Sequence, residues 1–224
     1  PFSGARKGVS GRLRHPRHRM RFRPSIVITA AGLGRRFGGP LHKLEQPFDG
    51  STVLGTTVRH AVETQLPVVV VTTAALAPLV ARQLARRDIV VLSEDEAVNG
   101  MGHSIAAGVA ERSGATGWLV LPGDMPLVRP ASLLAVASAL EQFPVAYAQH
   151  RGRRGHPVGF AAELYSELIL LRGDEGARRI VARYPAQGVE LDDPGVLLDV
   201  DTEADLEALR RAVAPAAAAA PVRP

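Results

Sequence analysis

Four consecutive valines, Val68-Val69-Val70-Val71, with Thr72 behind them, restrict the fold of this chain more than any other segment. β-Branched side chains are stiff at χ1 and favour extended backbone. An unbroken apolar run also has no polar face to turn to water, so such a strand must be covered on both sides, as in a parallel sheet flanked by helices. Comparable runs recur at Ser25-Ile26-Val27-Ile28-Thr29, Ile89-Val90-Val91-Leu92, Trp118-Leu119-Val120-Leu121, Val145-Ala146-Tyr147-Ala148 and, shorter, Val158-Gly159-Phe160. Between and after them, helical periodicity fits Val53–Thr64, Leu76–Arg86, Ser104–Arg112, Ala131–Gln142, Ala162–Leu170, Glu175–Ala182 and Thr202–Val213. Buried strands alternating with helices predict a three-layer α/β/α, Rossmann-like fold around a mixed, mostly parallel sheet. Ligands of such sheets gather at the carboxyl ends of the strands, which directs attention to the loops after Thr29, Leu92 and Leu121.

A chain of 224 residues with 46% hydrophobic content has the material for one domain with a buried core. It contains no apolar run near the roughly 18 residues of a membrane span, so no membrane partner is expected. The absence of cysteine excludes disulfides, thiolate metal sites and cysteine nucleophiles, and fits a cytoplasmic enzyme. The formal net charge of +5 is unevenly spread. Eight Arg and Lys lie within residues 1–24 and no acid does, so from Ser25 onward acids outnumber bases. That body has no general basic field, and nucleic acid is not an expected partner of it. Residues 1–24 read as a basic disordered extension or a start-site artefact, since Met20 stands just ahead of the first strand. Their Arg-rich composition also fits a nucleic-acid-binding arm or a targeting peptide. Residues 25–212 are expected to form the single domain, and 213–224 an Ala/Pro-rich disordered tail.

The first strand empties into Ala30-Ala31-Gly32-Leu33-Gly34-Arg35-Arg36-Phe37-Gly38-Gly39, with Lys43 closing the segment. Small residues let backbone N–H groups approach an anion, and the arginines and the lysine surround it with positive charge. A polyphosphate is the natural ligand. A nicotinamide dinucleotide site would place a third glycine where Phe37 stands and begin its helix at once, which Gly38-Gly39-Pro40 prevents. The Gly-Lys-Ser/Thr of a P-loop is absent as well.

Other segments add chemistry. In Leu121-Pro122-Gly123-Asp124-Met125-Pro126, a carboxylate stands just past a buried strand between two stiffening prolines. Asp124 there suits Mg²⁺, which takes one or two carboxylates beside phosphate oxygens, and it equally suits a turn or helix cap. Asn99-Gly100-Met101-Gly102-His103-Ser104 precedes a helix, with Ser104 either its N-cap or a contact for a base or ribose. Arg151-Gly152-Arg153-Arg154-Gly155-His156-Pro157-Val158 and Gly173-Asp174-Glu175-Gly176-Ala177-Arg178 read as loops able to hold an anionic second substrate, or as solvated turns. Asp199 and Asp201 flank Val200, so in extended backbone both carboxylates face one side, where like charges invite a cation. Asp201 or Thr202 would also cap the last helix.

In series, these segments resemble the molybdenum cofactor cytidylyltransferases, a branch of the nucleotidyltransferases with a MobA-like fold. The resemblance runs from about Ile26 to Leu209. It implies a nucleotidyltransferase fold and a Mg²⁺-dependent transfer of CMP from CTP to the phosphate of molybdopterin cofactor, with pyrophosphate released. It also implies a molybdoenzyme, or its maturation chaperone, as the recipient of the product. On this likeness Ala30, Ala31, Gly32, Leu33, Gly34, Gly100, Met101 and Ser104 bind the nucleotide, and Arg36 and Lys43 stabilise the phosphates. Asp124 with Asp199 or Asp201 holds the metal, and His156 and Arg178 face the acceptor. Guanylyl transfer, a sugar-phosphate acceptor and a non-catalytic cofactor-binding role are the alternatives. Two departures stand out. Gly39-Pro40-Leu41-His42 lengthens the spacer before Lys43, which in the family usually follows sooner and often after a proline. Asp201-Thr202-Glu203-Ala204-Asp205-Leu206 lacks the usual proline, which predicts a looser cap on the final helix.

Overall fold

The four-valine segment lies one strand in from the edge of a seven-stranded sheet and is buried on both faces. The computed structural model describes residues 22–34, 37–38 and 40–213. In chain order its elements are β1 (Ser25–Ala30), a small hairpin of β2 (Pro47–Phe48) and β3 (Ser51–Thr52), α1 (Val53–Glu63), β4 (Val68–Thr73) and β5 (Ile89–Leu92). There follow α2 (Glu94–Ala97), α3 (Gly100–Glu111), β6 (Gly117–Pro122), α4 (Pro130–Ala139), β7 (Val145–His150) and β8 (Arg153–Ala161). The chain ends with α5 (Tyr165–Leu168), α6 (Arg178–Arg183), β9 (Ala186–Glu190) and α7 (Glu203–Val213). Strand order is β5-β4-β1-β6-β8-β7-β9. Pairs β4–β5, β1–β4, β1–β6 and β7–β9 are parallel, and β8 runs antiparallel to β6 and β7.

The pleat sorts the core into two layers. Ile26 and Ile28 of β1, Val70 of β4 and Leu119 and Leu121 of β6 face α1, α4 and α7. Val27, Val69, Val71, Trp118 and Val120 face α2, α3, α5 and α6. This is the mixed three-layer α/β/α arrangement. The end of the basic segment joins it: Phe22 packs against the first layer, and Arg23 bonds the Thr116 hydroxyl (2.7 Å) and the Gln65 carbonyl (2.8 Å). Residues 1–21 and 214–224, on which the expectations of disorder fell, lie outside the described residues.

Several expected elements differ. Leu76–Arg86 is not an α-helix but winds through two 3₁₀ turns, Ala77–Leu79 and Arg86–Asp88. The segment closes with i→i+3 bonds such as Leu79 N–H to Leu76 O, with Pro78 in the first turn, where its missing N–H costs nothing. Its apolar spacing reported burial of Leu76 and Val80, not backbone type. Residues 153–157, read as a loop, are the first half of β8. Arg151 (φ 49°) and Gly152 (φ 74°) alone form a tight hairpin turn of the two-residue kind. Edge strand β9, thinly apolar and only partly buried, carries no periodic signal.

Candidate active site

β1 and β6 run side by side, with Thr29 opposite Pro122, and the Gly123 N–H extends the ladder to the Thr29 carbonyl at 2.9 Å. The glycine-rich loop after β1 and the aspartate after β6 therefore leave the sheet as neighbours. Between them opens a cleft of about 1130 Å³ at the carboxyl ends of the strands. Every residue given a nucleotide, acceptor, phosphate or metal role from the sequence lines it except Arg36, which lies outside the described residues together with Arg35 and Gly39.

The acidic side is built on buried backbone. Thr57 of α1 donates its hydroxyl to the Gly123 carbonyl (3.0 Å), fixing the turn that carries Asp124. Buried Val200 donates its N–H to the Asp124 carbonyl (3.0 Å) and so draws the segment between the Pro194–Leu197 turn and α7 against that turn. With Val200 turned inward, Asp199 and Asp201 turn to the cleft, and the ligand atoms of Asp124, Asp199 and Asp201 lie within 4.8 Å of one another. Lys43 bridges two of them, its Nζ 2.6 Å from Asp124 Oδ2 and 3.0 Å from Asp201 Oδ1. Burial alone would lower the Lys43 pKa, but the Asp124 and Asp201 carboxylates outweigh it and hold it above its ordinary value. Asp199 has its pKa raised, first by desolvation in the cleft and then by repulsion from Asp124 and Asp201. Asp124 Oδ1 is buried and has no hydrogen-bond partner. An orphaned carboxylate oxygen amid three converging carboxylates is a donor set that suits a hard divalent cation.

The basic side is a loop. Ala31 is buried, and beyond it Gly32, Leu33 and Gly34 form one wall of the cleft. Gly34 takes φ 59°, open to glycine and strained for other residues, and a Cβ there would meet the His42 ring at 2.8 Å. Lys43 stands on a 3₁₀ turn, Lys43–Glu45, capped by His42.

A third wall joins α3 to the segment before α6. Gly100 (φ 83°) opens α3 against Gly173, whose backbone leaves no room for a Cβ, and Gly102 N–H bonds Gly173 O at 2.8 Å. This contact starts the helix four residues ahead of Ser104, which is buried within it (5% exposed), so Ser104 is not the N-cap. Leu33, Val98 and Met101 line the cleft yet remain 44%, 58% and 43% exposed, an apolar rim that could cover a planar base. From β8 and α6, Arg154, His156 and Arg178 close the far end. Burial, then the neighbouring Arg154 and Arg178 charges opposed by Asp199, push the His156 pKa down to about 4. His156 is therefore neutral near pH 7, and positive charge at this end belongs to the guanidinium groups.

Four contributors escaped the sequence reading. Thr29 places an unpartnered, buried Oγ1 at the cleft. Arg154 entered it only as one of several loop arginines. His42 was legible through its spacing to Glu45, a capping-box pattern. Buried Asp193, ahead of Pro194, accepts bonds from Arg129 N–H (3.0 Å), Ser132 Oγ (2.6 Å) and Gly195 N–H (3.0 Å), stapling the turn that leads to Asp199 onto α4. The final helix is capped more firmly than its sequence suggests. Thr202 Oγ1 accepts from Asp205 N–H (3.2 Å) while Asp205 Oδ2 accepts from Thr202 N–H (2.8 Å), leaving Asp201 to the carboxylate cluster.

Residues 26–189 match the MobA-like NTP transferase domain. The purine catabolism protein PucB of Bacillus subtilis is 34% identical over 201 residues, covering 84% of this chain and 96% of that protein. Among solved structures, Rv0371c of Mycobacterium tuberculosis superposes with a TM-score of 0.72 at 28% identity, over 84% of this chain and 98% of that one. A complex of Rv0371c with manganese gives 0.71 at 26%, over 85% and 100%. A nucleotidyl transferase from Methanothermobacter gives 0.72 at 25%, over 85% and 97%. Among the described residues no helix is long and apolar enough to cross a membrane.

Proposed function

The chain belongs to the MobA-like NTP transferase family and is a nucleotidyltransferase, and from that premise we propose that it transfers CMP from CTP to the terminal phosphate of molybdopterin cofactor, releasing pyrophosphate. The observation that carries the reading is the three-carboxylate cluster facing a glycine-rich loop across Lys43. The resemblance of Gly100-Met101-x-x-Ser104 and Gly155-His156-Pro157-Val158 to the cytidylyltransferases supplies the nucleotide and the acceptor.

An acceptor phosphate oxygen bonds to the α-phosphorus while the bond from that phosphorus to the bridging oxygen of the β-phosphate breaks, and pyrophosphate leaves with the electron pair. A phosphate nucleophile needs no strong base, so catalysis reduces to positioning and charge stabilisation. Asp124, Asp199 and Asp201 are the residues that would hold Mg²⁺, which when bound supplies Lewis-acid polarisation of the phosphoryl oxygens. Gly32 and Gly34 offer close backbone approach to the β- and γ-phosphates, and Lys43 and Arg36 offset charge on the leaving group. Leu33, Val98 and Met101 cover the base, with Ser104 beneath as a hydrogen-bonding group. Arg154 and Arg178 draw in the acceptor phosphate, while neutral His156 orients it. The product would pass to a molybdoenzyme or its maturation chaperone.

Thermal shift with CTP, GTP, ATP and UTP, each with and without Mg²⁺, followed by pyrophosphate release in the presence of molybdopterin cofactor, tests the reading. Selective Mg²⁺-dependent stabilisation and turnover with CTP are expected. Preference for GTP would overturn the cytidylyl assignment, and turnover only with a sugar phosphate would overturn the acceptor.

A further inference from the structure

The long spacer before Lys43 ends in a histidine whose two ring nitrogens are both engaged. His42 Nδ1 lies 3.2 Å from the Leu44 N–H, which can only donate. Nδ1 is therefore the unprotonated nitrogen, and a neutral ring must carry its proton on Nε2. That nitrogen lies 2.9 Å from the Gly32 carbonyl and donates to it. The His42 backbone is fixed in turn, its N–H donating to Glu45 Oε2 at 3.1 Å. The ring also fills the space a Cβ on Gly34 would need. One residue on, Lys43 reaches Asp124 and Asp201. A single capped turn thus ties the glycine-rich loop to the carboxylate cluster.

We infer that His42 is a positioning residue, a neutral latch that holds Gly32–Gly34 in register with Lys43 for the triphosphate. The inference rests on the placement of the triphosphate proposed above. A nest of backbone N–H groups works as an anion site only while carbonyl oxygens are kept from facing the anion. By engaging the Gly32 carbonyl, His42 keeps that acceptor from facing an anion held by the loop. The His42 ring thereby reaches back ten residues along the chain to Gly32. The competing role is purely local, with the ring serving only as the cap of the Lys43–Glu45 turn.

Two amide substitutions separate these roles. In His42→Asn the side-chain oxygen replaces Nδ1 and keeps the cap, but the side chain is too short for Gly32. In His42→Gln the amide nitrogen replaces Nε2 and keeps the latch, but the cap is lost. Both are measured for Tm, for kcat and KM, and for affinity by calorimetry, using the Mg²⁺–nucleotide that the unaltered protein turns over best. The latch predicts a KM and Kd for nucleotide roughly fivefold to tenfold higher in His42→Asn, the size of one lost hydrogen bond. It also predicts kcat within about twofold and recovery of most of the affinity in His42→Gln. Any outcome in which His42→Asn binds nucleotide no worse than His42→Gln overturns the latch. Lys43→Met is measured in parallel. If it weakens nucleotide binding while His42→Asn does not, only the latch fails; if neither weakens it, the placement of the triphosphate fails with it.

Discussion

The two sides of the cleft that meet at Lys43 are made by opposite means. On the sheet side, Asp124 follows a fully paired central strand, its turn is fixed by Thr57, and Asp199 and Asp201 are pinned through buried Val200 and stapled by Asp193. On the loop side, Gly32–Gly34 leave the sheet at once and are tied back by the His42 ring at the Gly32 carbonyl and by the N–H of buried Phe37 at the Gly34 carbonyl (3.0 Å). The difference teaches where precision is needed. Carboxylates that must converge within a few ångströms repel one another, so the repulsion has to be opposed by rigid backbone and by an internal cation. On the proposed reading, the glycine loop has to admit a large ligand and let pyrophosphate go, which a loop tied at a few points allows.

The contrast can be broken most directly at Asp124. Asp124→Asn should lower the rate of pyrophosphate release by about 10³-fold or more, since metal-assisted charge stabilisation contributes several kcal/mol. The loss should persist at high Mg²⁺ with Tm little changed; a rate within tenfold of the unaltered protein would show that the sheet side is not the reaction centre. The next effect is on stability and also belongs to the sheet side. His156 titrates near 6.5 in an unfolded chain and at about 4 in the folded one. Between these values the unfolded chain takes up a proton that the folded chain does not, so stability falls as pH drops from about 6.5 to about 4, by up to about 3 kcal/mol. Denaturant melts across that window should flatten in His156→Gln, and an unchanged slope would remove His156 from the buried wall. The smallest effect should come from the loop. Gly34→Ala forces a strained φ and a clash with His42, and should raise the nucleotide KM about tenfold with kcat and Tm nearly unchanged. A large loss of Tm would mean that the loop is as integral to the fold as the carboxylate side.

Much of this was legible in residue order. Val68–Val71 announced a strand covered on both faces, and it is buried throughout, whereas the similar run Ile89–Leu92 forms an edge strand with Val91 half exposed. The alternation around Val200 announced that Asp199 and Asp201 share a side. Legibility failed where local and tertiary terms compete. The apolar spacing of Leu76, Val80 and Leu84 mimicked a helix, whereas the backbone there closes into 3₁₀ turns. Arg154, Gly155 and His156 line the cleft, so β8 lacked the apolar signal of a strand, although Arg153 and Arg154 pair with β7 and, past an irregularity in register, Val158 to Phe160 pair with both neighbours. Ser104 had the composition of a cap, but contact between Gly102 and Gly173, some seventy positions along the chain, started α3 earlier.

By itself the sequence determined the fold class and the family, because side-chain type, apolar period and motif order are local properties. Tertiary structure alone decided that Lys43 turns its ammonium to Asp124 and Asp201, that Asp193 braces the turn leading to Asp199, and that His156 stays neutral while Arg154 and Arg178 carry the charge. It also decided that the His42 ring meets the Gly32 carbonyl. Each of these depends on burial and on distances between residues far apart in the chain, and neither quantity exists until the sheet has formed.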